Sequence, residues 1–418
     1  MTITGSMLVA SGAMDMFGNS MAVTGDNIAN LNTVGFKSTR FTFDDIMPTV
    51  SGEMEIGRGA RLADVGKPFQ QGALETTSNV TDLAITGNGF FIVRDPLSGV
   101  LSYTRAGQFH LDSNGRLVNE GNQILQGTGG DITISSTLTI PAQATSSLAL
   151  QYNLDASSTT PAAAFPAALD ASASSWLGAS NFSSVTTVYD SQGESHDLTF
   201  LFRLSAPGTW DYRVVAQRNQ LDAAAPSSTD LRAVSAPGTL VFDSSGQLDV
   251  GASTITDING LTWTNGASQT ISAANLDFSG TVQFARTSSL LSVVQDGSAA
   301  GTLSGISIDA QGNIQGGFTN GTNQNLGSIV LANFANVDDL DPIGDTLFAP
   351  NFESGAAQTG TPGLDGFGSI NSGTLELSTV DLAQQFVSLI GLQRAFQVNS
   401  RVVTTADQMY SIAAELKE

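Results

Sequence analysis

Apolar positions recur at helical spacing at both ends of the chain. Met7, Ala10, Met14, Phe17, Met21, Thr24, Ile28 and Leu31 advance by alternating steps of 3 and 4 residues, with Thr24 the only polar member. That is a heptad seam, and it predicts a helix over residues 5–31, ~40 Å long at 1.5 Å per residue. Leu31-Asn32-Thr33-Val34-Gly35-Phe36 should end it, because Gly35 can take the positive φ of a helix C-cap. Near the other end, Ser378-Thr379-Val380-Asp381 has the spacing of a capping box, with Ser378 as N-cap and Asp381 at N3. Leu382, Phe386, Leu389, Gln393, Phe396, Ser400 and Val403 then form one seam, and Val402, Thr405, Met409, Ile412 and Leu416 a second. The spacing predicts a helix over 379–416, ~57 Å long. Two such helices suit either a globular core or an assembly. Gly12, Gly18 and Gly25 favour the assembly, since each costs ~1 kcal/mol in a helix relative to Ala. The first helix also has Asp15 and Asp26 but no base to pair with them. It should order only when its seam meets partners.

Between the ends the pattern is that of strands. Leu83 to Val93 reads as a hairpin, two strands around a Gly87-Asn88-Gly89 turn. A local unit of Asp, two small or polar residues and Gly recurs at Asp112–Gly115, Asp190–Gly193, Asp243–Gly246 and Asp309–Gly312. Asp can bond back to the turn backbone and Gly can take positive φ, which predicts turns. A calcium loop would need alternating acidic ligands and a distal Glu, which are missing. Residues 185–188, 198–204 and 210–215 alternate as strands. The Ala/Ser-rich stretches 155–180 and 223–237 read as long loops of a middle β domain, and Gly-rich 355–373 as a link to the C-terminal helix.

Composition narrows the chemistry. The 418 residues include 16 Lys and Arg against 38 Asp and Glu, a net charge of −22 that argues against nucleic acid and anionic membrane partners. There is no Cys, so disulfides, thiolate catalysis and Cys-based metal sites are excluded. The first basic residue is Lys37 and no apolar run approaches ~18 residues, so neither a cleaved signal peptide nor membrane insertion is expected. Gly87-x-Gly89 lacks the third glycine of a dinucleotide fingerprint. His110 and His196 sit beside turns and read as packing or surface residues rather than triad members. The pairs Asp44-Asp45 and Asp338-Asp339 read as solvated faces rather than glycosidase carboxylates. Trp176, Trp210 and Trp263 fit strand packing better than a sugar platform. No catalytic, cofactor-binding or metal-ligating residue is assigned, and no enzyme activity is expected.

Asp26-Asn27-Ile28-Ala29-Asn30-Leu31-Asn32-Thr33-Val34-Gly35-Phe36-Lys37 resembles the N-terminal signature of the bacterial flagellar rod and hook protein family. Residues 382–401, from Leu382-Ala383-Gln384-Gln385-Phe386 to Asn399-Ser400-Arg401, resemble the C-terminal signature, with Gln385 where many members have Glu. Thr187-Val188-Tyr189-Asp190-Ser191-Gln192-Gly193, Gly301 to Asp309 and Leu331 to Asn336 look like hook members rather than the usually shorter rod members. The resemblance implies an α+β multidomain fold. The terminal helices, 1–31 plus 379–418, would pair as an inner polymerisation domain. Connecting segments 32–75 plus 355–378, a β domain of 76–148 plus 285–354 and an outer β domain of 149–284 would be nested between them.

It further implies a structural subunit of a curved, flexible, torque-transmitting tube. A distal rod protein is the alternative, and a secreted sugar-binding or sugar-cleaving protein a remote one. The implied partners are other copies of the chain, the distal rod, the hook cap, the hook–filament junction proteins and the flagellar export apparatus. The implied location is extracellular, in the hook and basal body. The polymerisation seam would consist of Met7, Met14, Phe17, Met21, Ile28, Leu31, Leu382, Phe386, Leu389, Phe396, Val402, Val403, Met409, Ile412 and Leu416.

Overall fold

The computed structural model describes residues 3–47, 49–51, 54–56, 58–221 and 230–415. Four α-helices lie among them: α1 (Ile3–Ala29), α2 (Ala173–Gly178), α3 (Arg218–Leu221) and α4 (Leu382–Glu415). The rest is mainly strand, so the fold is α+β with long helices only at the ends. Two units make up the chain. One comprises Met1–Ser136, Gly305–Gly317 and Asn323–Glu418, and the other Thr137–Ser304 and Phe318–Thr322.

In the first unit, α1 lies against α4. The expected boundary of α4 needs correction. The helix begins at Leu382, and its cap is Asp381, whose Oδ1 accepts the Gln384 N–H at 3.1 Å. Ser378 instead accepts the Val380 N–H, and Thr379 is held outside the helix by bonds to residues 36 and 38. The β part of this unit is built on strands Phe90–Arg94, Leu101–Thr104 and Ile124–Gly127, paired antiparallel. The strand Leu83–Thr86 does not form a hairpin with Phe90–Arg94. It pairs with Ser369–Ser372, while Phe90–Arg94 joins the larger sheet. Gly87 and Gly89 do take positive φ, but they send the chain from one sheet to the other. Phe90, Tyr103, Phe334 and Phe348 close the core, with Phe69 edge-on to Phe90 at 5.2 Å and to Phe348 at 5.0 Å.

In the second unit, Phe182–Tyr189, Ser195–Ala206 and Thr209–Gln217 form a continuous antiparallel meander. Alternation places Phe200, Phe202, Trp210, Tyr212 and Val214 in one core with Leu148, Leu150 and Tyr152. The 155–180 stretch is more ordered than its composition suggests. It contains a short strand, Asp170–Ala171, and α2, because Trp176 is fully buried against Leu201 and Val215 and its Nε1 donates to the Leu231 carbonyl at 3.1 Å. Of the second Ala/Ser-rich stretch, residues 223–229 lie outside the described residues, and Leu231–Ala233 is a strand. The Gly-rich 355–373 also contributes paired strands, Gln358–Gly360 and Ser369–Ser372.

The recurring Asp–Gly unit has one geometry in all four places. The Asp Oδ1 accepts the N–H groups two and four residues on, at 2.8–3.0 Å. The glycines Gly115, Gly193, Gly246 and Gly312 have φ between 77° and 84°.

Candidate assembly surface

The two chain ends are joined at a buried junction. Gly35 N–H donates to the Glu376 carbonyl at 2.8 Å, Thr379 N–H to the Phe36 carbonyl at 3.2 Å, and Ser38 N–H to Thr379 Oγ1 at 2.8 Å. Gly35 has φ +71°, and a Cβ there would come within 2.5 Å of the Ala106 nitrogen. Lys37 Nζ donates to Glu376 Oε1 at 2.5 Å and to the Gln70 carbonyl at 2.7 Å. The same Oε1 accepts the Gly72 N–H at 2.8 Å, and Arg105 Nη1 lies 3.6 Å from Oε2. Lys37 and Glu376 are both sealed from solvent. Burial lowers the Lys37 ammonium below its usual value, although Glu376 pulls it back up. Sequence reasoning missed this triad, since Lys37 and Glu376 are 339 positions apart.

Beyond the junction, Asn27 accepts the Thr39 N–H at 2.8 Å and donates to Gln385 Oε1 at 3.3 Å, tying α1 to the start of α4. The fully buried stripe of α1 is Ala10, Met16, Ser20, Thr24 and Asn27, displaced by one residue from much of the expected seam. Ser20 and Thr24 can be buried because each hydroxyl bonds to a backbone carbonyl four residues back, at 2.9 Å. On α4 the buried positions are Leu392 and Ala406. The inner side of the pair is therefore rich in small and polar groups.

Apart from Met16 and Leu392, the large apolar residues lie elsewhere. Met7, Met14, Phe17, Met21, Ile28, Leu31, Leu389 and Val403 are half-buried. Phe17 meets Phe43 edge-on at 6.1 Å. Leu382, Phe386, Phe396, Val402, Met409 and Ile412 are exposed, as are Val387 at 72% and Val398 at 60%. Leu416 lies outside the described residues. α4 thus exposes many large apolar side chains to solvent, interrupted by polar residues such as Arg394, Gln397, Arg401 and Gln408, which is the reverse of an ordinary surface helix.

The tryptophans and one of the two histidines are engaged in packing. Trp176, Trp210 and Trp263 are buried. His110 is exposed on a two-residue strand. His196 is stacked on Trp263, with centroids 3.7 Å apart and planes 2° from parallel. Its Nε2 is 3.0 Å from Asp190 Oδ2. With Glu194 these form the one Asp/Glu/His cluster of metal-binding dimensions among the described residues. The Asn265 amide nitrogen bridges Asp190 Oδ2 at 2.5 Å and Glu194 Oε2 at 2.9 Å, placing a donor where a cation would have to sit. Burial alone would raise the Asp190 pKa, but hydrogen bonds from Asn265, His196 and the backbone of Gln192 and Glu194 outweigh it and hold the carboxyl at about 2. A cleft of about 690 Å³ beside the junction is lined by Asp26, Lys67, Glu120 and Asp345 among others, with no His, Ser or Cys. Asp44 and Asp338 are exposed, as their pairing with Asp45 and Asp339 on solvated faces would have it. No described helix is long and apolar enough to cross a membrane.

Four family models match along the chain. They are the flagella basal body rod protein model over residues 7–37, the flagellar hook protein FlgE/F/G D1 domain over 84–151, the flagellar basal body protein FlaE D2 domain over 153–298, and the flagellar basal body rod FlgEFG protein C-terminal model over 371–416. The flagellar hook protein FlgE of Salmonella typhimurium is 33% identical over 413 residues, covering 95% of this chain and 96% of the relative. That of Brucella abortus is 30% identical over the whole of both chains. Among solved structures, the Helicobacter pylori flagellar hook protein FlgE2 aligns with a TM-score of 0.52 at 15% identity, covering 72% of this chain and 100% of the other.

Proposed function

Because the chain belongs to the flagellar hook protein family and is a structural subunit of the bacterial hook, we propose that the outward apolar face of the α1–α4 pair drives its polymerisation into a tube. The observation that carries the reading is the distribution over the pair, with mainly small and polar side chains buried besides Met16 and Leu392, and Phe386, Val387, Ile390 and Val398 outside. Each such side chain contributes roughly 1.5–3 kcal/mol when fully buried, so several burying together make subunit addition strongly favourable. The expected seam residues among the described ones belong to this surface or flank it. Residues 1–31 with 379–418 form the inner layer of the tube, 32–75 with 355–378 the connection, 76–148 with 285–354 a β layer and 149–284 the outermost layer. The inner helices hold while the outer β layers slide on Ser- and Thr-rich contacts, which lets the tube curve and still transmit torque.

The subunit performs no catalysis. It reaches the cell exterior through the flagellar export apparatus and meets the distal rod, the hook cap and the hook–filament junction proteins. Replacing Val387 and Ile390 together by Glu tests the central claim. The expected result is a chain with unchanged circular dichroism that no longer pellets as polymer. Pelleting at wild-type concentration, or straight rather than curved wild-type tubes under the electron microscope, overturns the reading.

A further inference from the structure

The α1 helix carries acids and no base, whereas both bases of the pair are on α4, which also carries the exposed Asp407. The acids of α1 are Asp15 and Asp26, and it has no base. The only bases of α4 are Arg394 and Arg401. Seven residues apart, the arginines are separated by ~20° around the helix and by ~10 Å along it. Both are exposed; Arg394 lies ~160° and ~120° around α4 from the buried Leu392 and Ala406, and Arg401 ~180° and ~140°. They therefore stand in the middle of the apolar face made by Val387, Ile390, Val398 and Ile412. Asp15 is likewise exposed, ~140° around α1 from the buried Ser20. None of the three makes an ion pair among the described residues. Asp26 differs, since its Oδ1 accepts the Asn30 side-chain N–H at 3.1 Å and its charge acts on Lys67.

A guanidinium at the centre of an apolar contact cannot be left alone when water is expelled. Unpaired, it would cancel much of the gain from the surrounding Val and Ile. Neither arginine pairs with a carboxylate of its own helix pair among the described residues, and Asp407, the exposed acid of α4, lies ~120–140° around the helix from them. A second copy offers one, on the face that α1 turns away from its own α4. We propose that Arg394 and Arg401 of one copy bind the Asp15 carboxylate of a neighbouring copy, and that this pairing sets the register in which helix pairs assemble. Arg suits the role because its planar fork grips a carboxylate in a fixed direction, which apolar contact alone does not provide. The small residues of α1 near Asp15, Gly12 and Ala22, leave room for a long side chain to lie along the helix. The inference rests on the tube reading above and specifies one of its contacts.

The test is a set of charge reversals in the full-length chain, read as the critical concentration for polymer formation. Arg394→Glu, Arg401→Glu and Asp15→Arg should each raise it at least tenfold while leaving monomer thermal unfolding unchanged. Combining Asp15→Arg with both Arg→Glu changes should return it to within about threefold of wild type. If the single variants polymerise like wild type, or if the triple reversal is no better than the single ones, the pairing is wrong. Arg394→Gln and Arg401→Gln cover the case of a reversal that unfolds the monomer: a raised threshold with normal unfolding supports the pairing, and an unchanged threshold overturns it. Failure of the wild-type chain itself to form tubes would instead refute the assembly reading.

Discussion

Replacing Lys37 by Met removes the ammonium from the junction while keeping most of the side-chain volume. Glu376 then keeps the Gly72 N–H and the more distant Arg105, but loses its 2.5 Å partner, and the Gln70 carbonyl loses its donor. Breaking a buried pair from one side costs about 3–5 kcal/mol. Against a domain stability of roughly 5–15 kcal/mol that is a large share. With a urea slope of about 2 kcal/mol per molar, a loss of about 4 kcal/mol lowers the midpoint by about 2 M. Glu376→Gln should cost at least as much, because it strands two cations, Lys37 and Arg105, in place of one carboxylate. The double variant should lose less than the sum of the two.

The molecule supplies its own control. All three tryptophans, Trp176, Trp210 and Trp263, belong to the second unit, and the junction to the first. Far-ultraviolet circular dichroism, which sees both units, should shift to lower urea, while tryptophan fluorescence should keep its wild-type midpoint. A fluorescence curve that moves equally, or a circular dichroism curve that stays in place, would refute the assignment of this energy to the junction.

Two further predictions concern local geometry. Gly35→Ala should be as disruptive as Lys37→Met, because the new Cβ meets the Ala106 backbone and φ is +71°; near-wild-type urea unfolding would contradict it. Asp190 is held at about 2, below its unfolded value, so its stabilising contribution is full above the ordinary carboxylate range and is lost as pH falls through about 2. Acid unfolding followed by the fluorescence of Trp263, which stacks on His196, should therefore change its course in Asp190→Asn, and identical acid curves would remove Asp190 from the account.

What the sequence made legible was local. The 3,4 spacing located α1 and α4 to within a few residues, and the Asp–Gly units announced four turns because donor, acceptor and glycine all lie within five positions. What it hid depended on distant partners. Ser378-x-x-Asp381 looked like a cap, but Thr379 is engaged by residues 36 and 38, so the helix starts later and Asp381 caps it. Leu83 to Val93 looked like a hairpin, but each strand takes a partner elsewhere in the chain. Ala and Ser around Trp176 suggested a loop, since nothing nearby showed that the indole fills a core. Periodicity picked out apolar residues of α1 that are half-buried, yet the buried stripe was displaced toward Ser20 and Asn27. Serine's bond to its own backbone makes such burial possible, and hydrophobicity alone does not reveal it.

The latch between positions 37 and 376 has a bearing on when this molecule becomes competent. A ribosome, or any conduit that delivers the chain from its first residue, releases the two halves of that latch at opposite ends of the process. Until residues 376–415 have emerged, Lys37 lacks Glu376 and α1 has no α4 to lie against. A product truncated before residue 382 would thus lack α4 and the exposed apolar side chains it carries.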